Sequence, residues 1–186
     1  QVDHAAPGIE EKYAYGVTHH YDVDIHRSPL SFQNFKAIKQ LKKLIKRENY
    51  DLIHCHTEMG GFCARIAAAN ARKHGCKVIY TSHNYPFYKG ASPIAWCLFY
   101  PVERMLAPLT DAVVTINEED YQFTLHHKMA VGPSFKIDGV GVNLERFSPV
   151  SYNEKMSLRK ELGIAEKEFV LLYTAQFIPR KNHEML

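Results

Sequence analysis

The chain has 186 residues, of which 46% are hydrophobic and 12% aromatic, and its formal net charge at pH 7 is +3. This composition excludes an intrinsically disordered chain, because it supplies enough apolar surface to build the core of one domain or slightly more. No apolar run approaches the roughly 18 residues of a membrane span and no secretory signal is readable, so we expect a cytoplasmic protein.

The first predicted elements are a strand and a basic amphipathic helix. Residues 21–25 alternate in polarity as a strand does, and Ser28-Pro29 then breaks the pattern. From Phe32 onward, apolar residues recur at helical spacing and leave lysines on an adjoining face. The predicted apolar face contains Phe35, Ile38, Leu41 and Ile45, and the basic face contains Lys36, Lys39, Lys43 and Lys46.

Three further strands alternate with helices along the chain. The predicted segments are strands around Leu52 and Val78 and over residues 112–116, a small-residue helix over 61–74 and an aromatic stretch over 85–109. Asn117 can cap a following helix whose first turn is acidic. Strands rich in valine and isoleucine, alternating with helices in this order, predict an α/β fold with a parallel sheet flanked by helices.

The cysteines indicate reduced, structural thiols. They show no C-x-x-C spacing, and two of them lie within apolar runs, where a thiol behaves as a small hydrophobic side chain. Those two are Cys55 and Cys97, and the other two are Cys63 and Cys76.

A domain junction is expected after the helix that Asn117 begins. Gly139 and Gly141 permit unusual backbone angles, and Phe147-Ser148-Pro149 and a charged stretch follow them. We predict a first domain over residues 1–147, a linker and helix over 148–168, and the first strand (169–174) and loop of a second domain within 169–186. Because the chain starts at Gln1 and ends about one turn into a new element, we expect a fragment truncated at both ends.

Histidines follow the first two core strands. His54 and His56 end one strand and His83 follows the next, and in a parallel sheet the carboxyl ends of neighbouring strands face one crevice. The sequence therefore predicts a site at this edge. The H-x-H spacing is also that of metal ligands, so a zinc-dependent hydrolase using these three histidines is an alternative, although no acidic ligand lies at an obvious strand end beside them.

Five segments, taken in order, resemble glycosyltransferase family 4, a nucleotide-sugar-dependent family of the two-domain GT-B fold, and in particular its bacterial members that build capsular and other exopolysaccharides. They are residues 50–57 with Gly60-Gly61, residues 81–83, residues 111–116, the hinge over 139–149, and residues 169–182. The resemblance implies the acceptor-side, Rossmann-like amino-terminal lobe of a retaining enzyme. Such an enzyme transfers a sugar from a nucleoside diphosphate to a glycan or lipid-linked acceptor, with no metal and no cofactor besides this co-substrate. The fragment alone is expected to be inactive.

The resemblance also assigns roles to single residues. It implies that His83 lies beside the reacting sugar as a catalytic residue, a role that suits imidazole because its ordinary pKa is near neutrality. It implies that Lys181 stabilises the leaving diphosphate, while the arginine often found at the end of the preceding strand is Gln176 here. The full set of predicted substrate-binding residues is His56, Gly60, Gly61, Asn84, Arg180 and Lys181; the two glycines are included because helix-start amides can approach an anion closely.

Two surfaces are candidates for peripheral contact with an anionic membrane at its inner face. The basic helix over 36–47 is one and residues 94–101 are the other, although a solvated face and a core segment, respectively, would also account for them. No nucleic-acid recognition motif is present, so no nucleic-acid partner is expected. A sugar-binding or nucleotide-binding α/β module without catalysis is the remaining alternative.

Overall fold

The computed structural model describes residues 19–26, 28–29, 31–139, 141–175, 177 and 181–185. The chain divides into two compact units, residues 1–140 and residues 141–186. In chain order the elements are α1 (Gln33–Glu48), β1 (Leu52–His56), α2 (Glu58–Arg72), β2 (Lys77–Ser82), α3 (Pro93–Leu106), a short 3₁₀ turn (Ala107–Leu109), β3 (Ala112–Thr115), α4 (Glu118–His127), β4 (Ser134–Lys136), α5 (Tyr152–Glu161) and a second 3₁₀ turn (His183–Met185).

The first unit is built on one parallel sheet with the strand order β1-β2-β3-β4. The predicted α/β fold with a parallel sheet is therefore confirmed. Each connection steps to the next strand in the same direction, and right-handed crossovers of this kind place α2, α3 and α4 on one face of the sheet. That face is tightly packed, since Val78, Tyr80 and Val113 are almost fully buried. On the opposite face, His54, His56 and Ile79 are exposed or half-buried.

A buried ion pair joins α2 to α3 over the packed face of the sheet. Arg65 donates two hydrogen bonds to the Glu103 carboxylate, at 2.8 and 2.9 Å, and its Nε donates to the Gly61 carbonyl at 3.0 Å. The guanidinium also lies 4.0 Å from the centre of the Tyr80 ring. The side chains of Arg65 and Glu103 are 0% and 7% exposed. Each charge is therefore shielded from water and is compensated by its partner.

A second ion pair closes the amino-terminal edge of the same sheet. Arg72 donates to both carboxylate oxygens of Asp111, at 2.8 and 2.9 Å, and the Val78 N–H donates to the same carboxylate at 2.8 Å. The hydrogen bonds from Arg72 lower the pKa of Asp111. Because this edge is occupied by side chains of the fold itself, the polar loops at the carboxyl edge are the ones available for a ligand.

Two predictions in the first part of the chain are wrong. Residues 21–25 do not form a strand: Tyr21 makes a single bridge, and the Ile25 N–H donates to the Val23 carbonyl at 2.9 Å, a local bond that does not extend a ladder. Phe35 is 71% exposed, and the core position that it was expected to fill belongs to Asn34. Asn34 is tolerated there because its amide is satisfied by the His26 N–H and the Ser28 carbonyl, both at 2.9 Å.

The cysteines are all free, as expected from their spacing. Burial raises the pKa of Cys55 and of Cys63 to about 11, so both thiols stay protonated and act as small core side chains. Cys97 differs from the expectation for its apolar run, since it lies on the exposed side of α3. Helical periodicity places the residues of this apolar run on two faces of α3. Trp96, Phe99 and Tyr100 pack against the core, while Cys97 and Leu98 are exposed.

The second unit contains α5 and an irregular carboxy-terminal segment. Ser151 caps α5 by accepting the Glu154 N–H at 3.3 Å, as its residue type favours. Residues 169–174, predicted as a strand, form none in the structure and are exposed. A strand requires neighbours that pair with its backbone, and the described residues of this unit contain no other strand.

No helix in the described part of the chain combines the length and the apolar character that a membrane span requires.

Candidate active site

The predicted site lies where β1 and β2 end, at the carboxyl edge of the sheet. The parallel register pairs His56 with Thr81, and His83 follows the last residue of β2. Because side chains alternate across a strand, the odd-numbered positions 79, 81 and 83 share one face with His54 and His56. The sheet itself therefore brings the three histidines to one surface.

The histidine side chains are in contact. The Nδ1 atom of His56 lies 3.3 Å from the Nε2 atom of His83, and the ring centres are 5.5 Å apart. His54 also packs against His56, with ring centres 4.3 Å apart. Two imidazoles at this distance share one hydrogen bond, so the tautomer of one ring sets whether the other donates or accepts. The pair can therefore present both a donor and an acceptor to a bound ligand.

His54 supports this pair from the strand. Its Nε2 atom lies 2.8 Å from the Thr81 hydroxyl of β2, which ties the ends of the two strands together. Removal of water from one side of the ring lowers the pKa of His54. His54 is therefore neutral near pH 7, and its neutral ring can stack against His56 without charge repulsion.

The three histidines do not form a metal centre in this structure. Among the residues described, no group of three or more histidine, cysteine, aspartate or glutamate side chains is arranged to hold a metal ion. The zinc hydrolase alternative therefore has no ligand set among these residues.

The turn between β1 and α2 adopts a strained backbone conformation that the sequence did not reveal. Thr57 has φ 62° and ψ 162°, a region occupied almost only by glycine, and α2 begins directly after it at Glu58. Strained residues of this kind cost about 1–3 kcal/mol and concentrate at functional sites. Thr57 directly follows His56, so the strained turn lies at the histidine pair.

The two glycines of α2 lie inside the helix, which begins three residues earlier than predicted. The Gly61 N–H already donates to the Thr57 carbonyl at 2.8 Å, so it is not available to a ligand. Gly61 is buried against Tyr80, and a Cβ atom added there would lie 2.5 Å from the Tyr80 ring. Packing thus accounts for Gly61, while Gly60 is half-buried in the first turn of α2 and remains a predicted ligand contact.

Gly61→Ala is expected to be less stable than Gly60→Ala by about 1–3 kcal/mol, because the new methyl group overpacks the Tyr80 ring. Both variants share the same gain in helix propensity. Gly60→Ala is the matched control, since its Cβ atom would meet only the Thr57 hydroxyl, at 3.0 Å, and that side chain can rotate. Thermal unfolding of the two variants measures the difference, and equal stability would contradict the packing role.

The loop after His83 is attached to the amino-terminal turn of α4. Asn84 is exposed, and its Oδ1 atom accepts a hydrogen bond from Asn117 Nδ2 at 3.3 Å. Asn117 caps α4 as predicted, because its Oδ1 atom accepts the Asp120 N–H at 2.8 Å. The sequence pointed to the cap but not to the link with Asn84, which joins residues 33 positions apart.

The remaining predicted residues lie in the second unit. Lys181 is exposed, and its carbonyl accepts a hydrogen bond from the Tyr173 hydroxyl at 2.8 Å. Arg180 and Gln176 lie outside the described residues. The roles predicted for these residues therefore stay predictions.

Comparison with known proteins identifies the family of this chain. The sequence profile of glycosyltransferase family 4 matches residues 1–131. The candidate glycosyltransferase EpsD of Bacillus subtilis (strain 168) is 45% identical over 98% of this chain and 48% of its own length. The UDP-Gal:alpha-D-GlcNAc-diphosphoundecaprenol alpha-1,3-galactosyltransferase of Escherichia coli is 27% identical over 81% of this chain and 38% of its own length.

The chain belongs to glycosyltransferase family 4. It spans about half, or less, of the length of these two relatives. Among solved structures, sucrose-phosphate synthase from Thermosynechococcus elongatus aligns with a TM-score of 0.42 and 14% identity, over 80% of this chain and 76% of that one. At this TM-score the likeness adds nothing to the fold that the sheet already defines.

Proposed function

We propose that the full-length protein transfers a sugar from a nucleoside diphosphate sugar to a glycan or lipid-linked acceptor in polysaccharide biosynthesis, with retention of anomeric configuration. The observation that carries this proposal is the contact between His56 and His83 at the carboxyl edge of the parallel sheet, in a chain of this family. The Escherichia coli relative supports both substrate classes, since its name contains a UDP-sugar and a diphosphate-linked lipid.

The proposed reaction exchanges one bond at the anomeric carbon for another. The bond to the diphosphate oxygen breaks, the acceptor hydroxyl oxygen forms the new glycosidic bond, and the hydroxyl proton leaves with the nucleoside diphosphate. His83 is the proposed catalytic residue, because an imidazole held by a second imidazole can hydrogen-bond a sugar hydroxyl as charge develops. His56, Gly60 and Asn84 are the proposed ligand contacts of the first unit, and Lys181, with Arg180, is the proposed contact of the leaving diphosphate.

The test is to incubate the full-length protein with a panel of nucleotide sugars and acceptors and to follow release of the nucleoside diphosphate. We expect release that depends on acceptor, yields a product with the donor's anomeric configuration, and persists in the presence of a chelator. Activity lost to a chelator would favour the metal-dependent hydrolase. Binding of a nucleotide sugar without release would favour a non-catalytic module.

A lipid-linked acceptor would require contact with a membrane surface, and α1 supplies a suitable face. Its exposed side carries six cations, and no acidic residue occurs in α1 before Glu48. Phe32 and Phe35 lie at the amino-terminal end of α1, and their side chains are 83% and 71% exposed. Cations with exposed aromatic side chains are the combination that binds the interface of an anionic bilayer. We therefore propose peripheral membrane contact through α1.

The variant Lys39→Gln/Lys43→Gln is expected to bind vesicles containing phosphatidylglycerol about 30-fold more weakly, because each lysine near an anionic surface contributes about 1 kcal/mol. A vesicle sedimentation assay measures this. Lys128→Gln/Lys155→Gln is the matched control, since both lysines are exposed outside α1. Equal binding of the two double variants, or equal binding of the unmodified protein to neutral vesicles, would contradict the proposal.

A further inference from the structure

The first turn of α4 makes three separate contacts with the segment that follows His83. Asn117 Nδ2 donates to the Asn84 side chain at 3.3 Å, and the Asp120 carboxylate accepts the Tyr85 N–H at 3.2 Å. Glu119 accepts the Lys89 N–H at 2.7 Å. Residues 84–89 are thus held along the start of a helix that lies about 30 positions later in the chain.

Asp120 is the centre of these contacts and is only 4% exposed. Its Oδ2 atom accepts both the Tyr85 N–H and Asn117 Nδ2, the latter at 2.8 Å. In a capping box, the acidic side chain three residues after the cap serves its own helix. Here that side chain reaches a different segment, and burial raises the pKa of Asp120 against the lowering effect of these two hydrogen bonds. A buried carboxylate is costly without such bonds, which suggests a role that a simple cap would not require.

Apolar packing already holds the next part of the same segment. The Tyr85 and Phe87 rings are stacked with centres 4.9 Å apart, and both side chains are nearly fully buried. Tyr85 and Phe87 would therefore stay in place without the polar contacts. Residues 83 and 84 are less buried, since His83 is half-buried against His56 and Asn84 is exposed. The polar contacts of Asn117 and Asp120 are what fixes the backbone directly after His83.

We propose that Asp120 and Asn117 are positioning residues, which set the orientation of His83 by holding residues 84 and 85 against the start of α4. This inference rests on the proposed function, in which His83 contacts the reacting sugar. Displacement of a reacting group by about 1 Å can lower turnover by up to about 100-fold. Neither Asp120 nor Asn117 touches the substrate in this proposal, so the larger effect is expected on kcat. KM is expected to rise less, through the release of Asn84, which is a proposed ligand contact.

The test compares four variants of the full-length protein. Asp120→Ala removes the acceptor, while Asp120→Asn restores a neutral acceptor for the Tyr85 N–H. Asn117→Ser keeps a residue that can cap α4 but removes the amide that donates to Asn84 and Asp120. Glu118→Gln is the matched control, because it removes one charge from the same helix turn and contacts Gln122 and Lys136 instead of residues 84–89.

We expect kcat to fall about tenfold or more in Asp120→Ala and Asn117→Ser, with a smaller rise in KM, partial rescue in Asp120→Asn and no change in Glu118→Gln. A second readout is independent of transfer: NMR of carbon-13-labelled histidine rings, with the His83 signal assigned from a His83→Gln variant. We expect that signal to shift or broaden in Asp120→Ala and Asn117→Ser alone. An unshifted His83 signal, or a loss of stability with kcat unchanged, would overturn the proposal. If the unmodified protein transfers no sugar, the proposed function fails, and the NMR result still decides the positioning.

Discussion

Replacing Glu103 by alanine is expected to lower the free energy of unfolding of the first unit by about 3–5 kcal/mol. The substitution leaves the Arg65 guanidinium buried without its counter-ion, and arginine cannot release its proton to avoid this cost. The substitution is also expected to disturb the packing of α2 on β2 next to the candidate site. Arg65 donates a hydrogen bond to the Gly61 carbonyl of α2 and lies over the Tyr80 ring of β2. Hydrogen–deuterium exchange of the β2 amides in the full-length protein measures the loss.

Two controls separate the buried charge from a general effect of truncation. Glu118→Ala breaks an exposed ion pair with Lys136 and is expected to cost less than about 1 kcal/mol. The double variant Arg65→Met/Glu103→Leu removes both charges and fills their volume, so it is expected to recover most of the stability lost in Glu103→Ala. If Glu103→Ala were no more damaging than Glu118→Ala, the ion pair would not support the sheet as proposed.

If the proposed function holds, His83→Ala is expected to lower the turnover of the full-length protein by about 100-fold to 10,000-fold, the range typical of a lost proton-transfer or hydrogen-bonding group. The fold is expected to change little, because His83 is half-buried beyond the end of β2. Release of the nucleoside diphosphate at saturating donor and acceptor measures turnover, and thermal unfolding measures the fold. His83→Gln keeps a hydrogen-bonding side chain without the imidazole ring. Its turnover is expected to lie between that of the unmodified protein and that of His83→Ala.

His74→Ala is the matched control for His83→Ala. His74 is exposed at the end of α2, next to the amino-terminal edge of the sheet, and is expected to be replaceable without loss of turnover. A fall in turnover for His83→Ala that only parallels a loss of folded protein would remove the catalytic assignment. So would turnover equal to that of His74→Ala.

The order of β1, α2, β2, β3 and α4 was predictable because side-chain periodicity is a local property of the sequence. The apolar strands at β1, β2 and β3 and the cap at Asn117 were all read correctly. The approach of His56 and His83 was predictable as well, since parallel strands necessarily end at one edge of the sheet. The side-chain patterns of residues 21–25 and 169–174 suit a strand, but a strand also needs a ladder of backbone partners, which a local pattern does not report.

Sequence alone therefore determined the fold class, the edge at which the candidate site lies and the histidines that meet there. The tertiary structure decided which side chains satisfy one another. Only it showed Asn34 in the core in place of Phe35, Gly61 beneath Tyr80, and Asp120 bonded to a backbone amide 35 residues earlier. The physical reason is that periodicity reports which face a residue occupies, whereas the partner of a buried polar group is set by contacts between distant segments.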